Sequence, residues 1–290
     1  MEGPRVAIIG TGQMGSAAAR RLVGLGYSLV LWNRTRRRAE ELGSSIGVRV
    51  ASTLEEAVGH VEYGLVFLLD DDAVAWLATS LPRSDGLVLV NHSTNTPRMS
   101  IAVARRLEAL GICYVEAPVI GGPHTLEEGK AKILVAGESR CLRRAASILR
   151  DLASSIVETG PLGSAMAAKL AYNMVLMTSL AVLGEAVLLA DSHGVGLGVL
   201  GEVMRGTPME SLSKYLARVA GREDPGGARM HVAAKDLEHA GRALYDSRIP
   251  GPVSAAAGNL YRIGLASGCE SYYYGATAKI LQGCRGSRIW

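Results

Sequence analysis

The sequence predicts an α/β protein in two parts, a parallel sheet covered by helices on both faces and then an all-helical segment. Three observations carry this. Short apolar runs alternate with amphipathic stretches over the first 160 residues, a glycine-rich turn follows the first run, and near residue 162 the pattern changes to continuous helix. At about 150 residues per domain the length suits two domains, expected at 1–161 and 162–290.

Residues 6–9 form the first buried-strand run, Gly10 to Gly15 follow, and a helical stretch reaches Leu25. Residues 27–32 read as a second strand and the polar stretch 35–42 as a helix. Residues 64–69, 86–90 and 112–115 read as further strands, with helical segments such as 100–110 between them, and 131–136 with 155–158 complete the sheet. From 164 to 193 the chain is almost continuously helix-forming, with Gly184 its only breaker, and 171–190 carries one formal charge, Glu185. That window could cross a membrane by length. A large soluble protein also buries helices that are apolar on all sides, and that is the reading adopted. Further helices and no strand are expected beyond it.

Hydrophobic residues make up 48% of the chain and charged residues 20%, which excludes a disordered or fibrous protein. The net charge of +4 divides unevenly, with 25 arginines and six lysines, none of the lysines before Lys130. Basic residues scatter along the chain without a zinc-finger or helix-turn-helix pattern, so neither nucleic acid nor a membrane is an expected partner. Cys113, Cys141, Cys269 and Cys284 form no C-x-x-C pair and have no histidine at zinc-ligand spacing. They are expected to be reduced and uninvolved in chemistry, and no metal is expected. The first strand-like run begins within five residues of the N-terminus, which leaves no room for a signal peptide and predicts a cytoplasmic location.

Gly10-Thr11-Gly12-Gln13-Met14-Gly15 fits G-x-G-x-x-G, placed between a strand and a helix rich in small residues. Gly10 permits the tight turn, Gly12 lets a pyrophosphate approach the backbone, and Gly15 lets helix and strand pack closely, as in a Rossmann dinucleotide-binding domain. The phosphates would sit on the helix N-terminus. After the second strand, where NAD-binding proteins place an acidic residue, stand Asn33, Arg34 and Thr35. No carboxylate repels a 2′-phosphate, and Arg34 offers a planar cation suited to one. NADP is therefore expected over NAD. Arg36, Arg37 and Arg38 are offset by Glu40 and Glu41 and read mainly as a solvated helix face.

Three further segments look built for chemistry. Asn91-His92-Ser93-Thr94 follows a strand at the carboxyl edge, where such sheets bind ligands. Glu116-Ala117-Pro118-Val119-Ile120-Gly121-Gly122-Pro123 follows another, and its two glycines leave adjacent N–H groups open to a substrate carboxylate. Lys169 and Asn173, four apart, share one face of the long helix.

With these motifs in order the sequence resembles the β-hydroxyacid dehydrogenase family, which includes 3-hydroxyisobutyrate dehydrogenase. The resemblance rests on Gly10 to Gly15, Ser93-Thr94 before Pro97, Ala117-Pro118-Val119 with Gly121-Gly122, Lys169 through Asn173, and Lys235-Asp236. It implies an N-terminal Rossmann domain and an all-helical C-terminal domain joined by a long interdomain helix, with a homodimer built on the helical part. It also implies that Lys169 is the catalytic acid/base and that Asn173 positions the substrate together with Ser93, Ile120, Gly121 and Gly122. Lys235 would lie near the nicotinamide, and Thr94 with the Leu69-Asp70 turn would contact cofactor.

The chemistry agrees with this assignment. Oxidising an alcohol requires removing its proton as hydride leaves, and a lysine on an apolar helix should titrate below ~10.4 because burial disfavours the ammonium. The competing readings are a surface lysine for Lys169 and an exposed ion pair with Asp236 or Glu238 for Lys235. Several positions depart from the family pattern: Ile120 stands for the usual serine, Asp70 for proline, Asn91 for aspartate, and Tyr272-Tyr273-Tyr274 replace a segment that usually carries an aspartate. His124 is a candidate to compensate for the lost serine hydroxyl. These changes bear on the substrate, which the sequence leaves open among 3-hydroxyisobutyrate, L-serine, 3-hydroxypropionate and short aldehyde acids. Two other functions stay open, an NADPH-dependent imine reductase on the same architecture and a non-catalytic NADP-binding scaffold.

Overall fold

The computed structural model describes residues 4–284. Two compact units emerge, Met1–Lys169 and Leu170–Trp290.

In the first unit β1 (Arg5–Ile9) leads into α1 (Gln13–Gly24), β2 (Ser28–Trp32), α2 (Arg36–Ile46), β3 (Arg49–Val50) and α3 (Leu54–Val58). Then come β4 (Tyr63–Val66), α4 (Asp71–Ser80), β5 (Val88–Asn91), α5 (Pro97–Glu108), β6 (Cys113–Glu116), β7 (Val119–Ile120), α6 (Pro123–Glu127), β8 (Ala131–Gly137), α7 (Ser139–Leu152) and β9 (Ala153–Gly160). The first six strands are parallel in the order β3-β2-β1-β4-β5-β6, the doubly wound Rossmann arrangement. Alternate residues of β1 serve opposite faces. Val6 and Ile8 meet Ala18 and Leu22 of α1, while Ala7 and Ile9 join the core of Val74, Leu77, Val103 and Leu107 from α4 and α5.

Beyond β6 the sheet is not purely parallel, as the alternating runs had suggested. β8 runs antiparallel to β6 and to β7, and β9 is parallel to β8. Only ten residues, 121–130, join β7 to β8; a parallel return needs a crossover of a dozen or more. β3 and β7, two residues each, are too short for an alternation pattern to reveal. The cysteines are also corrected. Cys113 of β6 pairs with Cys141 of α7, Cα atoms 5.4 Å apart, and Cys269 pairs with Cys284 at 5.6 Å, both within disulfide reach.

The second unit takes up α8 (Ser164–Ser192) from Leu170 onward, then α9 (Leu197–Met204), α10 (Glu210–Ser213), α11 (Leu216–Val219), α12 (Met230–Asp246), α13 (Pro252–Ala266) and α14 (Thr277–Leu281). Among its described residues the only β pairing is an isolated bridge, Arg229 with Tyr273. Two cores cover two faces of α8, while Val175, Val182 and Leu189 stay exposed in the single chain, so the helix is not buried on all sides as its composition suggested. Met177 and Ala181 pack with Met230, Leu237 and Tyr261, and Leu180, Leu183 and Val187 pack with Leu216, Val219 and Ala278. Gly184 marks a close approach: a Cβ there would lie 3.0 Å from the Ala278 nitrogen. Tyr272 and Tyr274 pack against the Met230 core, and Tyr273 is buried with its ring 4.5 Å from that of Tyr274.

The compact units part at Lys169/Leu170, inside α8, whereas the sequence pattern changes at 161/162. The first turns of α8 belong with the sheet, where Ala165 packs on Leu134 and Ala136 of β8 beside Ile120 and Ala168.

Candidate active site

Gly10 adopts φ +100°, and a Cβ on it would run into the Phe67 carbonyl; a Cβ on Gly15 would run into the carbonyl of Gly10. These two glycines are there for packing and backbone conformation. Gly12 differs, because a Cβ there would face open space. It is the N-cap of α1, and no side chain caps that helix or places a carboxylate in its first turn. The open amides, the exposed Gly12 and the dipole together suit a pyrophosphate, so this loop fits a dinucleotide. Gln13 is exposed, Met14 packs against the core below, and Thr11 is buried.

At the end of β2 the Thr11 N–H donates to Asn33 Oδ1 at 3.2 Å, and Asn33 Nδ2 donates to the Thr35 carbonyl at 3.0 Å. Asn33 therefore ties the glycine loop to the next turn and is only partly free for the ligand contact expected of it. Arg34 and Thr35 are exposed. Among the described residues no carboxylate pairs with Arg34, whereas Arg36 engages Glu40 at 2.7 Å and Arg37 engages Glu41 at 3.4 Å. Trp32, just before Asn33, stacks on Trp76 of α4 with ring centroids 5.5 Å apart. Trp76 is 46% exposed, and sequence reading had no signal for it.

The ends of β4 and β5 meet through side chains. Leu69 is exposed, and Asp70 accepts the Ala73 N–H at 2.9 Å, capping α4. The buried Asp71 accepts from Asn95 Nδ2 at 3.1 Å, Thr96 N–H at 2.9 Å and Thr96 Oγ1 at 2.6 Å. Ser93 is buried, its hydroxyl accepting the Leu68 N–H at 2.8 Å, which ties the ends of β4 and β5 together and leaves the O–H to donate. Thr94 is half-buried beside it. Asn91 donates to Asn95 Oδ1 at 3.0 Å and to the Tyr114 hydroxyl at 2.9 Å, and accepts the Ser93 N–H at 3.0 Å. The His92 ring stacks on Phe67, with Nδ1 2.8 Å from the Ala117 carbonyl. Burial lowers its pKa to about 4, partly opposed by that hydrogen bond.

Beyond β6, Gly121 at φ +134° and Gly122 are both exposed, as their proposed task requires. Ile120 is half-buried against Ala165 and Ala168. His124 is exposed and lies 3.2 Å from Glu128. Glu116 is fully buried, and its carboxylate receives the N–H groups of Gly163, Ala165 and Met166 at the start of α8. Burial raises its pKa, countered by those bonds and one from Ser100. Lys169 follows on the same helix and is only 9% exposed, which removes the surface-lysine reading.

In the second unit Asn173 Nδ2 donates to Asp236 Oδ2 at 2.6 Å, and Lys235 Nζ lies 2.7 Å from Asp236 Oδ1. The Lys235–Asp236 ion pair exists but is largely buried, not on the exposed face of a helix. One carboxylate thus holds two of the expected site residues. In the sequence Asp236 stands out as a motif residue and as an ion partner of Lys235, but its bond to Asn173 does not, because the link from α12 spans 63 positions.

Comparison with known proteins bears on this arrangement. Residues 5–160 match the family described as the NAD binding domain of 6-phosphogluconate dehydrogenase, and 163–279 match NAD-binding of NADP-dependent 3-hydroxyisobutyrate dehydrogenase. Glyoxylate/succinic semialdehyde reductase 2, chloroplastic, of Arabidopsis thaliana is 26% identical over 291 residues, covering 97% of this chain and 80% of that protein. NAD-dependent L-serine dehydrogenase of Pseudomonas aeruginosa is 27% identical over 303 residues, covering 97% and 99%. The solved structure of Mycobacterium tuberculosis 3-hydroxyisobutyrate dehydrogenase with L-serine shares the fold, with TM-score 0.84, 23% identity and coverage of 97% and 99%.

Proposed function

The chain belongs to the β-hydroxyacid dehydrogenase family and is an NAD(P)-dependent oxidoreductase; on that premise we propose that it moves hydride between NADP and a small 3-hydroxy acid or its carbonyl counterpart. The observation that carries the proposal is Lys169, a mostly buried amine on the helix that follows the dinucleotide half, one turn from Asn173. When bound, the dinucleotide supplies or accepts the hydride. Lys169 Nζ takes the hydroxyl proton in oxidation and returns it to the alkoxide oxygen in reduction. The open amides of Gly121 and Gly122 receive the substrate carboxylate, and Asn173, fixed by Asp236, orients the reacting end. Arg34 takes the 2′-phosphate, which favours NADP.

The test is an initial-rate panel of 3-hydroxyisobutyrate, L-serine, 3-hydroxypropionate, glyoxylate, succinic semialdehyde and a cyclic imine, run with NADP(H) and NAD(H) in parallel. Turnover of one or more acids with NADP supports the proposal. Turnover of the imine alone overturns it, and a preference for NAD overturns the role given to Arg34.

We further propose a homodimer through the helical unit. Val175, Val182 and Leu189 recur every seven residues on α8 and are exposed in the single chain, an apolar stripe that suits a second copy. Light scattering should give twice the chain mass, and Val182→Glu with Leu189→Glu should halve it. A monomeric wild type would end this proposal.

A further inference from the structure

Helix α8 begins without a cap of its own. Its N-cap, Gly163, sits at φ +93°, and a Cβ there would also approach Ile101 at 3.1 Å. Glycine is what the turn accepts, and glycine has no side chain to bond the free amides. The hydroxyl of the next residue is engaged elsewhere, Ser164 Oγ lying 2.8 Å from Thr159 Oγ1. Glu116, 47 positions upstream at the end of β6, takes the place of the cap. Its carboxylate accepts Gly163 N–H at 2.6 Å, Ala165 N–H at 3.2 Å and Met166 N–H at 3.3 Å. Lys169 is three residues past Met166, about 4.5 Å along the axis, so the rotation and height of α8 at Lys169 are set at that carboxylate.

Glu116 is itself anchored. Ser100 bonds it and lies 2.9 Å from the Tyr114 hydroxyl, which receives Asn91 Nδ2 at 2.9 Å. From Asn91 the buried chain of hydrogen bonds runs through Asn95 to Asp71, next to the Leu69-Asp70 turn. The residue after Glu116 opens the segment that ends in Gly121 and Gly122. The same side chain therefore joins the start of the substrate-binding segment to the helix bearing the base.

We propose that Glu116 is a positioning residue for Lys169, registering its amine against the 117–122 segment through the first turn of α8. This rests on Lys169 being the acid/base. A neutral glutamine would keep one acceptor but turn an N–H₂ donor toward backbone N–H groups. Displacement of the base by a fraction of an ångström to 1 Å lowers turnover without lowering cofactor affinity.

The test is a double-mutant cycle in the full chain with Glu116→Gln, Lys169→Ala and both together. Folding is followed by circular dichroism and NADPH affinity by fluorescence. Glu116→Gln should lower kcat by roughly tenfold or more with the Kd for NADPH within about twofold, and should cost nothing further in the Lys169→Ala background. Glu116→Asp, which keeps the charge, should recover part of the lost rate. If Glu116→Gln fails to fold, Ser100→Ala replaces it in the same cycle, with a smaller loss of kcat expected. Lys169→Ala with wild-type kcat would overturn the acid/base assignment and this proposal with it. A slow Lys169→Ala beside an unaffected Glu116→Gln, or an equal loss in both backgrounds, overturns the positioning role alone.

Discussion

Phe67 and His92 stack face to face, ring centroids 4.7 Å apart and planes within 11°, at the ends of neighbouring strands beneath the glycine loop. The imidazole is fully buried and neutral, with a pKa of about 4. An unfolded chain titrates this histidine near 6.5. Between those values the unfolded state binds more protons, so stability is intact above pH 6.5 and falls as the pH drops toward 4. The full shift corresponds to about 3 kcal/mol. Urea unfolding at pH 7 and pH 4.5 should show wild type losing more stability than His92→Gln; equal losses would refute the effect.

The glycine loop separates folding from binding. Gly15→Ala places a methyl against the Gly10 carbonyl and should destabilise the protein by about 1–3 kcal/mol, as overpacking does. Gly12→Ala meets nothing in the protein, so its Tm should match wild type while NADP affinity falls roughly tenfold or more. Calorimetric titration of both variants checks the distinction.

Arg34 and Arg37 offer a paired comparison. Arg37 is a surface partner of Glu41, and its removal should change neither stability nor cofactor choice measurably. Arg34→Ala should weaken NADP binding roughly 10- to 100-fold, the worth of a charge-assisted phosphate contact, and leave NAD binding unchanged. Kd values for the two dinucleotides read this directly.

The paired cysteines predict a thiol count. Denatured without reductant, the chain should show no free thiol; after reduction it should show four. Bridges spanning 28 and 15 residues should each contribute about 3 kcal/mol against unfolding, measurable as a lower guanidinium midpoint for the reduced protein.

Sequence reading reached the architecture where chemistry repeats at short range. The apolar runs matched β1, β2 and β6, and the long apolar stretch matched α8 to within one residue, while the run 64–69 reached three residues past the end of β4. It missed what depends on distant partners. Glu116 was visible only as the first residue of a motif, since nothing local shows a carboxylate capping a helix 47 positions later. The bonds of Asn33 to Thr11 and Thr35 were invisible as well, because they exist only after the turn has folded. The cysteine pairs escaped for the same reason: 28 residues separate Cys113 from Cys141 until β6 and α7 pack.

The cap on α8 also bears on modularity. The sequence pattern and the family matches both break near residue 161, the natural place to cut the gene or graft another helical half. A fragment ending there would keep Glu116 but lose Gly163, Ala165 and Met166, leaving its carboxylate without three of its hydrogen-bond donors. The dinucleotide half carries its stop signal several residues inside its neighbour, so recombination at the visible seam would yield an unstable piece. A cut after the second turn of α8 would leave one that is whole.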